Sequence, residues 1–149
     1  MGKDFGILFD TSKMPNKSLV ERIFKSAMVE TQNTVLQKVY DESQTLVPVN
    51  TGALRDSAVF ERANEFALEA YIQYGDDMVG YALSVHEDLS MPHAPPTQAK
   101  YLEVPMTRHQ PELLPTLMQN LEKHWREAGL SASFSARDFS EQIGQAFGE

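Results

Sequence analysis

Residues 18–46, SLVERIFKSAMVETQNTVLQKVYDESQTL, decide the fold of this chain. Ser18 and Glu21 form a capping box, a pattern typical of a helix start. Apolar residues then recur about every four positions while charged residues lie mostly on the other side, as in an amphipathic helix. Pro48 interrupts this pattern, so a helix of roughly seven or eight turns is predicted. The residues that define its apolar face are Leu19, Ile23, Ala27, Thr31, Val35, Val39 and Leu46.

The composition is that of one globular domain. The chain has 149 residues, of which 42% are hydrophobic and 23% charged, and a chain of this length can bury a core without cross-links. Its formal net charge of −8 repels phosphate backbones, which disfavours tight nucleic-acid binding. The absence of cysteine excludes disulfides, thiolate metal sites and cysteine nucleophiles. No signal peptide or membrane-spanning stretch is recognised, so we expect a soluble protein made in a cytoplasm.

Short apolar alternations predict β-structure on both sides of the long helix. FGILFD at 5–10 is interpreted as a strand. Residues 57–63 and 66–74 are interpreted as a hairpin whose strands are joined by Asn64-Glu65. YALSVHE at 81–87 fits either a third strand or a short helix, because periodicity does not separate the two in so short a run.

The C-terminal half is predicted to be helical. Three of the nine residues at 88–96 are prolines, which predicts a surface loop. Helices are predicted over 97–109 and 111–128, with Pro105 either kinking the first or lying near its end. Gly129 is expected to end the second helix. The apolar stripe of that second helix comprises Leu114, Leu117, Met118, Leu121 and Trp125.

The last twenty residues are expected to be a separate tail, so the predicted organisation is a domain over 1–129 and a tail over 130–149. Phe139, Ile143 and Phe147 fall four apart, which predicts a small amphipathic helix that needs a partner. The sequence as a whole predicts an α+β fold. In it, a long N-terminal helix packs on a small, mainly antiparallel sheet and C-terminal helices are appended.

The most enzyme-like cluster is VHEDLSMPH, in which His86, Glu87, Asp88 and His93 offer metal-ligand atoms within eight residues. The spacing argues against a metal site, because two histidines at i and i+4 are the recurring arrangement. The sequence contains no glycine-rich phosphate loop and no G-x-S-x-G nucleophile elbow. We therefore assign no catalytic, cofactor-binding or metal-ligating residue, and the protein is predicted not to be an enzyme.

Three segments occur in order: VPVNTGALRDS at 47–57, YALSVHE at 81–87 and AKYLEVPM at 99–106. Their order and spacing resemble the neck or tail-completion family of long-tailed bacteriophages, whose members are often described as minor capsid or head–tail joining proteins. The likeness covers roughly residues 5–125. The matching residues, to which the resemblance gives structural or interface roles, are Pro48, Asn50, Thr51, Gly52, Leu54, Arg55, Ser57, Tyr81, His86, Glu87, Tyr101, Leu102 and Pro105.

The resemblance implies a structural virion protein of the phage neck, found in the host cytoplasm during assembly and using no cofactor. Copies would form a ring, which requires two different complementary patches on each subunit. The implied partners are a portal-side adaptor or head-closure protein and a tail-terminator or tail-tube protein, with no membrane involved. DNA would pass an acidic lumen without specific binding. Arg55 is expected to pair with Glu87 or Asp56, within the subunit or across the ring.

Three other hypotheses stay open at this point. The protein could be the tail-terminator subunit of the same particle, which stops growth of the tail tube. A different class is a small metal-dependent hydrolase that uses His86, Glu87 and His93. The third is a cytoplasmic binding module whose tail helix lies in a partner's groove.

Overall fold

The structure, a computed structural model, describes residues 16–130. The predicted strand at 5–10 and the tail from residue 131 onward lie outside the described residues. The α+β prediction is confirmed, with a long N-terminal helix, a small antiparallel sheet and C-terminal helices. The elements are α1 (Lys17–Leu46), α2 (Ala53–Asp56), β1 (Val59–Glu61), β2 (Tyr71–Gln73), α3 (Ala82–Glu87), α4 (Glu103–His109), a 3₁₀ turn (Gln110–Glu112) and α5 (Leu113–Glu127).

The long helix α1 is confirmed, but its predicted cap is wrong. Asn16 is the N-cap, and its Oδ1 accepts a hydrogen bond of 2.9 Å from the Leu19 N–H. The Ser18 hydroxyl lies inside the helix and donates to the same Oδ1 at 2.8 Å. Asparagine is as strong an N-cap residue as serine, so the helix begins earlier. At the other end, Val47 is extended with ψ of 130°, the conformation favoured before Pro48.

The buried face of α1 is a stripe that winds around the helix. Its members are exactly four residues apart, and each such step exceeds one helical turn by about 40°. Over the whole stripe the buried direction therefore rotates by about 200°. The middle of the stripe meets α5, where Asn120 Nδ2 donates to Thr31 Oγ1 at 3.0 Å. Its C-terminal end meets the segment after β2, where Ser43 Oγ lies 2.7 Å from the Tyr74 hydroxyl. The stripe comprises Ile23, Ala27, Thr31, Val35, Val39 and Ser43.

Helix α5 runs antiparallel to α1. Its start is tied to α1 by an ion pair between Glu112 and Lys38, and its end by His124 Nε2, which lies 2.8 Å from Glu30 Oε2. Gly129 follows the helix with a positive φ of 74°, so the predicted stop is confirmed. The predicted stripe is only partly buried. Met118 is buried, Leu114 is exposed, and Asn120 takes an interior position that the pattern did not indicate.

The hairpin is confirmed, but its strands are shorter than the predicted 57–63 and 66–74, and the connection between them extends well beyond Asn64-Glu65. β1 and β2 pair antiparallel with Phe60 opposite Ile72, and residues 62–70 connect them. In a longer hairpin, the backbone groups of residues 62–70 would bond each other across the two strands. Here the side chains of Gln32 and Asn33 of α1 bond several of these groups instead, so the connection is longer than a tight turn. The Phe60 ring stacks on Tyr40 of α1 at a centroid distance of 5.8 Å.

Two further segments whose structure was predicted, 81–87 and 97–109, contain short helices. The 81–87 segment is helical, as α3. The helix predicted over 97–109 begins only at Glu103, because Lys100 has a positive φ of 56° that a helix does not allow. Pro105 is the third residue of α4, where a missing N–H costs no helical hydrogen bond, so no kink results. Among the helices of residues 16–130, none has the length and apolar character needed to span a membrane.

Gly75 is a conformational requirement of the turn after β2. Its φ is +86°, and a Cβ there would lie 2.8 Å from the Ala82 Cβ and 2.9 Å from the Val79 carbonyl oxygen. We expect Gly75→Ala to lower the free energy of unfolding by at least about 2 kcal/mol, because backbone strain and a clash combine. Denaturant unfolding followed by circular dichroism measures this.

Two glycines serve as matched controls. Gly129→Ala has the same backbone strain but open space around its Cβ, and should cost about 1 kcal/mol. Gly80→Ala has open space and no strained φ, so its effect should stay within about 0.5 kcal/mol. Equal stability of Gly75→Ala and Gly80→Ala would contradict the prediction.

Candidate functional site

The three segments of the sequence motif meet around the ring of Tyr101. Tyr101 is 1% exposed, and its hydroxyl donates to the Ala82 carbonyl oxygen at 3.1 Å. The rings of Tyr74 and His86 stand edge-on to it, with centroids 5.0 and 4.9 Å away. The buried cluster comprises Val47, Leu54, Val79, Ala82 and Tyr101, with Leu46, Tyr74, Val85 and Leu102 packed against it.

The first segment turns sharply at Gly52, whose φ of +88° confirms the predicted unusual backbone. Thr51 Oγ1 accepts a bond of 3.3 Å from the Ala53 N–H, and the Gly52 carbonyl accepts one of 2.9 Å from the Asp56 N–H. This turn starts α2 and directs Leu54, which is 4% exposed, into the core.

Ser57 and Arg55 have different roles in this segment. Ser57 Oγ donates to the Leu54 carbonyl at 2.6 Å and accepts from the Gly75 N–H at 2.9 Å, so it joins the segment to the end of the hairpin. Arg55 is exposed, and its Nε lies 3.6 Å from Asp56 Oδ1. Of the two predicted partners of Arg55, the structure pairs it with Asp56.

Glu87 instead binds the third segment. Glu87 pairs with Lys100 through one oxygen and with His86 Nδ1, at 2.7 Å, through the other. The side-chain bond from Lys100, and secondarily the one from His86, lowers the pKa of Glu87. Lys100 also lies 2.9 Å from Glu103, and its bonds to Glu87 and then Glu103 raise its pKa. These exposed contacts fasten α3 to the start of α4.

The backbone before Tyr101 completes this connection. The Lys100 N–H donates to the His86 carbonyl at 2.8 Å, and the Gln98 N–H donates to the Leu46 carbonyl at 2.8 Å. The third segment is thereby fixed both to α3 and to the end of α1. Pro105 is fully buried beneath it.

An open pocket of about 390 Å³ lies where the first two segments meet. Most of its lining is apolar, and Val49 and Tyr81 at this surface are 49% and 46% exposed. The residues that line it are Pro48, Asn50, Thr51, Gly52, Leu54, Tyr81, Val85 and Met91.

The sequence motif therefore divides into two groups. Six of its residues line the pocket, and all but one of the others belong to the frame around Tyr101. Sequence reasoning missed Val85 and Met91 as lining residues. Met91 carried a usable signal, because a methionine in a proline-rich loop is an exposed apolar residue suited to binding. The residues that belong to the frame are Ser57, His86, Glu87, Tyr101, Leu102 and Pro105, whereas Arg55 is exposed and pairs with Asp56.

The chemistry of the pocket suits apolar binding. Within the described part of the chain, its lining carries no carboxylate, imidazole or ammonium group. Residues 16–130 also contain no group of three His, Asp or Glu side chains that could hold a metal ion. His86 in particular has both ring nitrogens engaged, since its Nε2 accepts from the Glu103 N–H at 3.4 Å while Nδ1 faces Glu87.

Comparisons with protein-family models, with curated proteins and with solved structures give no match to this chain. A function for this protein is therefore argued from the residues and geometry of the site. The property that the site offers most clearly is an apolar concave surface on a rigid frame.

The buried phenol makes stability sensitive to alkaline pH. Burial, and secondarily the neighbouring Tyr74, raises the pKa of Tyr101 to about 12 from an ordinary value of 10.0. The unfolded chain releases this proton at a lower pH than the folded chain does. The contribution of Tyr101 to the free energy of unfolding is therefore fully present below pH 10 and is lost as the pH rises toward 12. We expect Tyr101→Phe to remove a decline on the order of 2 kcal/mol over that interval.

Urea unfolding of the wild-type and Tyr101→Phe proteins between pH 8 and 12 measures the difference. The other groups with raised pKa values are Tyr74, whose pKa is raised chiefly by burial, and the two lysines Lys100 and Lys123. All three are present in both proteins, so the comparison isolates the contribution of Tyr101 and its contact with Tyr74. Parallel pH profiles for the two proteins would contradict the assignment.

Proposed function

We propose that this protein is a structural subunit of the neck of a tailed phage, where copies form a ring that joins the DNA-filled capsid to the tail. The observation that carries the proposal is the convergence of the three motif segments on Tyr101. Segments that are distant in sequence but share one core and one surface are expected to act together. The motif is in this way a structural unit as well as a sequence pattern.

The surface around the pocket favours a binding role over catalysis. Met91, which lines the pocket, is 39% exposed, and Leu89, two residues before it in the same loop, is 77% exposed. Exposed apolar groups next to an open pocket are typical of protein interaction sites. A ring subunit needs such surfaces, because each copy must bind two neighbours.

The charge of the chain is compatible with a position around DNA. A net charge of −8 repels a phosphate backbone and disfavours tight binding to it. In the proposal, a portal-side adaptor or head-closure protein lies on one side of the ring and a tail-terminator or tail-tube protein on the other. The proposed location is the virion neck, after assembly in the host cytoplasm.

Electron microscopy of particles made after disruption of this gene tests the proposal. We expect filled heads to accumulate beside free tails of normal length, because the two parts form but do not join. Overlong tails would identify the protein as the tail terminator instead. Normal infectious virions would contradict both neck functions.

The pocket itself is tested by complementation with point variants. We expect Met91→Arg to lower the titre of infectious particles by a factor of at least about 30, because burying an unpaired charge in an apolar interface costs free energy. Met78→Arg is the matched control, because Met78 is 89% exposed and does not line the pocket. Titres of infectious particles measure both, and thermal unfolding verifies that both variants fold. Equal complementation by the two variants would contradict a role for the pocket.

A further inference from the structure

The loop between β1 and β2 holds a fully exposed aromatic ring in a fixed position. Phe66 is 91% exposed, yet its backbone is well anchored. Asn64 Oδ1 accepts bonds of 2.9 Å from both the Phe66 and the Ala67 N–H groups, and the Asn64 N–H donates to the Ala67 carbonyl at 2.7 Å. Such an Asx turn presents the ring at the tip of the loop.

Two consecutive side chains of α1 fix this loop to the helix. Asn33 donates to the Ala63 carbonyl and accepts from the Ala63 N–H, both at 2.9 Å. Gln32 donates to the Leu68 carbonyl at 2.7 Å and accepts from the Ala70 N–H at 3.2 Å. The loop is thus held on both sides of Phe66. The backbone at Phe66 therefore loses little conformational entropy when the ring binds, which makes the loop a preorganised anchor.

The anchor and the apolar pocket lie at different positions along one rigid helix. The loop is bonded at Gln32, and the pocket begins just beyond Leu46, where α1 ends. Fourteen residues of helix separate these points, which is about 21 Å. Phe66 therefore cannot enter the pocket of its own chain while α1 is intact.

We propose that Phe66 of one copy inserts into the apolar pocket of the next copy, the pocket bounded by Pro48, Tyr81 and Met91. This inference rests on the proposed function, because it names the contact that would build the ring. An aromatic projection and an apolar recess on one rigid subunit are a heterologous pair, and repeating the contact by a rotation produces a ring if the rotation closes. The recess of about 390 Å³ is large enough to receive a phenyl ring, whose burial removes about 150–250 Å² from water.

The C-terminal tail of the same copy is another apolar candidate for the pocket. Helix α5 leads away from the pocket, since His124 contacts Glu30, far from the end of α1. Along the α1 axis, the end of α5 lies about 29 Å from the end of α1. Phe147 is twenty residues beyond Glu127, and an extended chain of that length spans this distance. We commit to Phe66 because its loop is already bonded to α1 on both sides, and the tail is the alternative that the cross-linking test separates.

Thiol cross-linking of the purified full chain tests this contact, and the absence of cysteine makes introduced cysteines unique. The test protein carries Glu65→Cys beside the anchor and Val49→Cys beside the pocket. A short bis-maleimide should give a ladder of dimers, trimers and larger species from this double variant. Each single variant should give no species beyond a dimer, because it carries one reactive end.

Added substitutions identify the occupant of the pocket. Phe66→Ala in the double variant should raise the protein concentration needed for the ladder by at least about 30-fold. Met78→Ala, which removes an equally exposed side chain, should leave it unchanged, as should the pair Phe139→Ser and Phe147→Ser. Absence of the ladder, or a ladder unaffected by Phe66→Ala, overturns the proposal. A ladder lost only in the tail variant also overturns it and identifies the tail as the occupant.

Failure of the Phe66 contact and failure of the proposed neck function give different results. If the ladder behaves as expected but gene disruption leaves infectious virions, the self-association stands and the neck function falls. If the ladder fails but disruption leaves unjoined heads and tails, the neck function stands and the Phe66 contact is wrong.

Discussion

The four-residue stepping of the buried stripe on α1 is the constraint on which the other elements depend. A stripe that followed the helical repeat would face one direction and could bury one partner. Because this stripe winds around the helix, the direction turns by about 120° between Thr31, which faces α5, and Ser43, which faces Tyr74. A two-stranded sheet and several short helices have little core of their own. They are stable together because one long helix supplies buried side chains to each of them.

Elements governed by local rules could be predicted from the sequence, and those governed by distant contacts could not. The period of α1 and the glycine stop of α5 are local, and both predictions are confirmed. Asn64-Glu65 predicts a tight turn between two longer strands, because turn-forming residues occur there. The actual connection depends on Gln32 and Asn33, more than thirty residues away. A single sequence does not reveal which polar side chain of a helix will satisfy a loop.

The site shows the same division. Gly52 can be assigned its unusual backbone, because that follows from a helix end, a proline and a turn, whereas Leu54 enters only through the resemblance. The roles of Lys100 and Glu87 could not be assigned, since they depend on the left-handed turn that brings α3 beside α4. Tyr101 was recognised only as part of a pattern. Its importance comes from the two rings and the carbonyl that surround it in space.

If copies bind through Phe66 and the pocket, the length of α1 determines the geometry of the assembly. The anchor is bonded at Gln32 and the pocket begins after Leu46, so the residues between them set both the distance and the angle between the two patches. One residue more or less would shift them by about 1.5 Å and rotate them by about 100°. The same change would turn Ser43 away from Tyr74, and it would also alter the one fixed rotation between neighbours that closure of a ring requires. The number of residues in this part of α1 would then be constrained by assembly as well as by folding.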